Sequence, residues 1–185
     1  GLGASGHDFE PVVPEFRFSR EQPVRFIFPH APELPVTING GMVMPAWYDI
    51  LAMDVDRKVD AEQLRASAAM VAELIRAEQE RGVASENIIL GGFSQGGAVA
   101  YELALSYPER LGGLFALSTY FATADTIELS EANRKLLVFI GHGRFDPIVA
   151  DTLGQAALRK LQDLGYEPEY QSYGMEHSLR LEEVR

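Results

Sequence analysis

Three residues of this chain have side chains suited to nucleophilic acyl transfer: Ser94, Asp146 and His177. Ser94 lies in Gly92-Phe93-Ser94-Gln95-Gly96, a G-x-S-x-G pattern between the apolar run Ile88-Ile89-Leu90 and the helix-like Ala98-Val99-Ala100. A serine hydroxyl is a weak nucleophile until a base takes its proton. Histidine can be that base, and a carboxylate can orient the imidazole and stabilise its charged form. A sharp turn from strand to helix would hold the serine oxygen clear of the backbone. Glycines at 92 and 96 are expected to permit the close approach of strand and helix that such a turn demands. The free N–H groups at the start of the next helix, Gln95 first, would stabilise a developing oxyanion. Asp146 stands in "GHGRFDPIV" and His177 in "YGMEHS". His142 is a rival base, but "GHG" reads as a tight turn and precedes the aspartate. His7 and His30 read as surface groups, and Asp151 as the start of a helix. No His, Asp or Glu cluster has metal-ligand spacing, and neither G-x-G-x-x-G nor a P-loop occurs, so no metal or cofactor is expected.

The elements that must position these groups alternate along the chain. "PVRFIFP" (Pro23 to Pro29) reads as a buried strand closed by prolines. Residues 30–59 show no period and read as a long loop. A helix is expected from Asp60, which can cap it, to Gly82, with Leu64, Ala68, Val71, Leu74 and Ile75 on one face. Asn87 to Gly92 reads as a strand and Gln95 to Tyr107 as a helix stopped by Pro108. Gly112 to Ser118 and Lys135 to Gly141 read as two further strands. Asp151 to Leu164 reads as a helix, and Glu167 to Tyr173 as a fifth strand. Such alternation, with unbroken apolar strands, implies an α/β fold: a mostly parallel sheet with helices on both faces. In open parallel sheets, catalytic groups lie beyond the carboxyl ends of the strands. Ser94, Asp146 and His177 each follow a separate strand, in the chain order of an α/β-hydrolase triad. Taken singly, the serine could be a chance match in a glycine-rich loop, the aspartate a turn residue and the histidine a surface group.

Composition narrows the class. The 185 residues suit one domain, and 46% hydrophobic with 23% charged residues is ordinary for a globular chain. A formal net charge of −11 argues against nucleic acid and against anionic membrane surfaces. There is no cysteine, so thiolate chemistry and disulfides are excluded. No run is long and apolar enough to span a membrane, and a cytoplasmic location is expected.

"GFSQGGAVA", "HGRFDPIV" and "GMEHS" resemble the phospholipase/carboxylesterase family, which includes acyl-protein thioesterases. "GLGASGHDF" is similar to that family's H-G-L-G segment, Val36 to Ile50 to its loop before the first long helix, and "GGLFALSTY" to the strand after the nucleophile helix. The wording of residues 37–53 looks more like the bacterial carboxylesterase branch. The resemblance implies that Leu2 and Gln95 supply the two oxyanion N–H groups, and that Leu51, Tyr120 and Ile148 line the acyl pocket. Ordinary core packing is an equal reading of Leu51, and Trp47 and Asp49 are read as structural.

These readings imply a serine carboxylesterase acting on small acyl esters of short to medium chain through an acyl-enzyme. Acyl-protein thioesterase or lysophospholipase activity at the same site is the alternative, and a non-catalytic binding protein of the same fold is a third. A homodimer remains open. The family comparison also implies a strand before Gly1, lying between "VRFIF" and "IILGG", and a helix closing the fold after Arg185. Residues 1–185 are therefore expected to be one α/β-hydrolase domain trimmed at both ends. The two named strands should then lie about two strand spacings apart, ~9–10 Å, unless another segment fills the slot.

Overall fold

The computed structural model describes residues 1–16, 22–53, 57–180 and 183. Its elements, in order, are β1 (Glu33–Val36), β2 (Met42–Pro45), β3 (Ile50–Ala52), β4 (Lys58–Val59), α1 (Ala61–Glu80), β5 (Ile89–Phe93), α2 (Gln95–Ser106), β6 (Gly113–Leu117), β7 (Val138–Gly143), α3 (Asp151–Asp163) and β8 (Glu169–Tyr173). Short 3-10 turns fill several of the connections. Strands β5, β6, β7 and β8 pair in that order, all parallel; α2 and α3 make the crossovers after β5 and β7, and residues 118–137, with a short 3-10 turn, make the one after β6.

Helices α1, α2 and α3 pack on the face of the sheet that carries Leu90, Leu114, Ala116, Val138, Ile140 and Tyr170. These side chains form one core with Leu64, Ala68 and Ile75 of α1, Ala98, Tyr101 and Leu105 of α2, and Ala157 and Leu161 of α3. Asp60 caps α1 by accepting from the Gln63 N–H, and Gly82 follows its end with φ +99°. The buried stripe of α1 runs through Leu64, Ser67, Ala68, Ala72 and Ile75; Leu74, expected inside, is exposed. Alternate strand residues point away from the helices. On that side Ile89 is 62% and Leu137 76% exposed, while Ser178 lies against Ser118 and Glu183 against Gly141.

Two segments form elements other than those expected. Val24–Phe28 is not a strand, because no neighbouring strand satisfies its backbone; strands exist only in pairs. It runs past α1 instead, with Arg25 3.5 Å from Glu78 and the Phe26 and Phe28 rings stacked. Among the described residues β5 pairs only with β6. Residues 30–59 are not a plain loop but hold two antiparallel hairpins, β1–β2 and β3–β4. Gly40 and Gly41 turn the first of them at φ +67° and +79°, angles that cost a side-chain-bearing residue dearly. Asp49 is structural here: its carboxylate accepts from the Thr37 N–H and hydroxyl.

A buried polar link joins α1 and α2 to the chain after β6. The Glu102 carboxylate accepts from Arg65 Nε at 3.1 Å and from the Thr123 hydroxyl at 2.6 Å. Thr123→Val keeps the shape and removes one donor from a buried carboxylate. It should lower stability by about 1–3 kcal/mol, read as a shift in urea midpoint at constant slope.

Candidate active site

Ser94 sits between the last residue of β5 and the first of α2, with φ 55° and ψ −122°. This backbone is disfavoured for any residue with a Cβ, and it is held by its neighbours. The Ser94 N–H donates to the Leu117 carbonyl at 3.0 Å, while the Ser94 carbonyl accepts from Gly97 N–H at 3.0 Å and from the Thr119 hydroxyl at 2.5 Å. A Cβ on Gly92 would lie 2.2 Å from the Gly96 carbonyl oxygen, so strand and helix meet at backbone distance. Gly96 itself has room, its nearest neighbour being Trp47 Nε1 at 3.8 Å. The second steric requirement falls instead on Gly97, where a Cβ would lie 2.3 Å from Thr119. Ser94 is 8% exposed.

Asp146 lies in the loop leaving β7 and His177 in the segment leaving β8. Backbone bonds fasten the two stretches together: Arg144 N–H to Tyr173 carbonyl at 2.8 Å and Phe145 N–H to Met175 carbonyl at 3.1 Å. Gly143 allows this closeness, since a Cβ there would lie 2.4 Å from the Met175 carbonyl oxygen. Asp146 is buried. Its Oδ1 accepts from the N–H groups of Ile148 and Val149, each at 2.8 Å. Its Oδ2 lies 2.7 Å from His177 Nδ1. A carboxylate can only accept, so Nδ1 carries a proton; in the neutral ring this leaves Nε2 with its lone pair, the form a general base requires. The Phe93 ring packs on the His177 ring at 4.7 Å between centroids, and Phe93 is covered in turn by Phe9 at 5.5 Å. No hydrogen bond joins His177 to Ser94 Oγ among the described residues; such contacts are commonly long before substrate binds.

The other candidates are placed as follows. Gln95 begins α2, and its backbone N–H is one of the free donors at that helix start. Its side chain is buried and serves elsewhere: Oε1 accepts from the Trp47 N–H at 2.9 Å and Nε2 donates to the Tyr48 carbonyl at 2.7 Å. Leu2 follows Gly1, where an added Cβ would lie 3.8 Å from Ser94 Cβ, so this segment borders the serine. Tyr120 is buried, with its hydroxyl 2.5 Å from that of Tyr48. Ile148 is half exposed and linked to Tyr120 through Arg57, which lies over the Tyr120 ring and donates to the Ile148 carbonyl. Leu51, on β3, is 49% exposed, which removes the core-packing reading. Two shallow apolar clefts of about 250 and 180 Å³ lie along α1, lined by neither Ser94 nor His177.

His142 is no rival base. It belongs to β7 rather than to a turn, and it is fully buried against Gly154, with Nε2 2.8 Å from the Val149 carbonyl. His7 is exposed beside Glu10, and His30 accepts from the Gly6 N–H. Phe93, Arg57 and the Gln95 side chain went unnoticed as parts of the site. For Phe93 the signal was its place beside the serine; for Arg57 and the Gln95 side chain the contacts are long in sequence.

The whole chain, residues 1–185, matches the family described as Phospholipase/Carboxylesterase. Acyl-protein thioesterase 1 of Gibberella zeae is 39% identical over 195 aligned positions, covering 100% of this chain and 83% of that protein. Among solved structures, Arabidopsis thaliana SOBER1 superposes with a TM-score of 0.92 at 33% identity, covering 100% of this chain and 90% of that one. Zea mays acyl-protein thioesterase 2 superposes with a TM-score of 0.82 at 27% identity, covering 100% and 86%. No helix among the described residues is long and apolar enough to cross a membrane.

Proposed function

The chain belongs to the phospholipase/carboxylesterase family and is a serine hydrolase of α/β-hydrolase fold, and from that premise we propose that Ser94, His177 and Asp146 hydrolyse acyl thioesters and oxygen esters through an acyl-enzyme. The observation that carries this reading is the 2.7 Å bond from His177 Nδ1 to Asp146, in loops bonded to each other beside the strained turn of Ser94. Ser94 Oγ attacks the substrate carbonyl as His177 Nε2 takes its proton. The oxyanion is met by the N–H groups of Gln95 and Leu2. Collapse expels the thiol or alcohol, which receives the proton from His177. Water, deprotonated by the same nitrogen, then releases the carboxylic acid and restores the serine.

Acyl thioesters attached to protein rank first among substrates, because acyl-protein thioesterases are so similar across the full chain. Short- to medium-chain carboxylic esters are the second reading, favoured by the half-exposed Leu51 and Ile148, which would leave the acyl end of the site open to water. A matched series of thioesters and nitrophenyl esters of increasing acyl length separates the two. A higher kcat/KM for the thioester of an acylated peptide than for the matched oxygen ester supports the first. Preference for free short-chain esters, with the acylated peptide untouched, reverses the ranking.

A further inference from the structure

The nucleophile turn leaves β5 and the acid loop leaves β7; β6, paired with both, sets their spacing within the sheet, and a second link crosses between them outside it. A chain of polar contacts makes that crossing. The Gln95 side chain grips the backbone of Trp47 and Tyr48 from the first turn of α2. Tyr48, fully buried, meets Tyr120 hydroxyl to hydroxyl at 2.5 Å. The Arg57 guanidinium lies 4.9 Å from the centroid of the Tyr120 ring, and its Nη2 donates to the Ile148 carbonyl at 2.6 Å. That carbonyl belongs to the same peptide group as the Val149 N–H, which donates to Asp146 Oδ1. A donor on the oxygen of a peptide polarises its N–H, so Arg57 strengthens the bond that fixes the carboxylate. Burial pushes the phenols of both Tyr48 and Tyr120 above the ordinary tyrosine range, although Arg57 works against this. Both therefore stay protonated and able to donate.

We propose that Arg57 is a positioning residue for the reaction: through the Ile148–Val149 peptide it orients Asp146, and through Tyr120 and Tyr48 it ties that loop to the Ser94 turn. This rests on the assignment of Ser94, His177 and Asp146 as the reacting set. A purely structural Arg57 would pin the β3–β4 hairpin to the body of the protein and affect stability alone. A positioning Arg57 changes turnover per correctly folded molecule.

The test uses the full chain with Arg57→Ala, Arg57→Lys, Tyr120→Phe and the double variant Arg57→Ala/Tyr120→Phe. Active sites are counted by burst titration, and kcat, KM, melting temperature and the rate of labelling by a fluorophosphonate are measured. Arg57→Ala should lower kcat per titrated site and the labelling rate by ~10–100-fold, the scale of a small misplacement of a catalytic group. KM should move far less, since no substrate contact is removed. Arg57→Lys should recover much of the loss, because an ammonium on a long stem can reach the Ile148 carbonyl. The double variant should be no worse than Arg57→Ala, as expected of residues in one chain of contacts. Should the alanine variant not fold, Arg57→Gln carries the same readouts. Wild-type turnover per site in Arg57→Ala or Arg57→Gln, with only the melting temperature lowered, overturns the proposal. Losses that add in the double variant overturn it too. Failure of the reacting set looks different: the wild-type protein would then hydrolyse esters without being labelled at Ser94.

Discussion

Ser94→Ala should lower turnover on the order of 10⁶-fold, the size of loss seen when a serine hydrolase loses its nucleophile. Alanine keeps the Cβ, so the turn at φ 55° and its bonds to Leu117, Gly97 and Thr119 stay in place. The melting temperature should therefore barely change while a fluorophosphonate stops labelling the protein. The residual rate would come from the oxyanion donors and from binding. Full activity in this variant would remove Ser94 from the reaction, and labelling at another residue would name its replacement.

Gly92→Ala should damage both fold and activity. The added methyl would enter to 2.2 Å of the Gly96 carbonyl oxygen and 2.4 Å of the Gly97 nitrogen, all main-chain atoms that cannot rotate away. Relief requires α2 to move off β5. That opens the turn under Ser94 and disturbs the packing of Gly97 on Thr119. The expected loss is about 3 kcal/mol, the upper end for forcing a methyl into a packed interior, with little esterase activity in the molecules that remain folded. Gly96→Ala is the matched control, since its Cβ would meet nothing closer than 3.8 Å. Chemical unfolding of the pair separates the two glycines of the G-x-S-x-G pattern; equal losses would mean that the turn demands glycine for a reason other than space.

That contrast shows what could be read from the sequence. The pattern announced a tight strand-to-helix turn, and the turn is there. Which glycine makes it cannot be read from one dimension, because the crowding is between backbone atoms of two elements. Strands β5 to β8 and helices α1 to α3 were legible because each is a long apolar or amphipathic run bounded by Gly, Pro or a capping Asp. Val24–Phe28 has the same local character, but a strand is completed only by its neighbour. The β1–β2 hairpin was overlooked although Asn39-Gly40-Gly41 carries turn chemistry, since each strand has only four residues. At the candidate site, the turn at Ser94 and the contact of Asp146 with His177 were legible through residue type and order. Arg57 was not: its acceptor at Ile148 is 91 residues away, and no local pattern marks such a pair.

The conformation of Ser94 carries a consequence for how this protein can change over time. Glycine reaches φ 55°, ψ −122° without the penalty that a side chain imposes, which is of order 1–3 kcal/mol. Ser94→Gly is thus expected to yield a chain that survives heating better than its parent and keeps no more than the residual turnover of Ser94→Ala. Any screen that rewards only solubility or thermal endurance will drift toward glycine here, and only continued demand for the reaction keeps the serine in place.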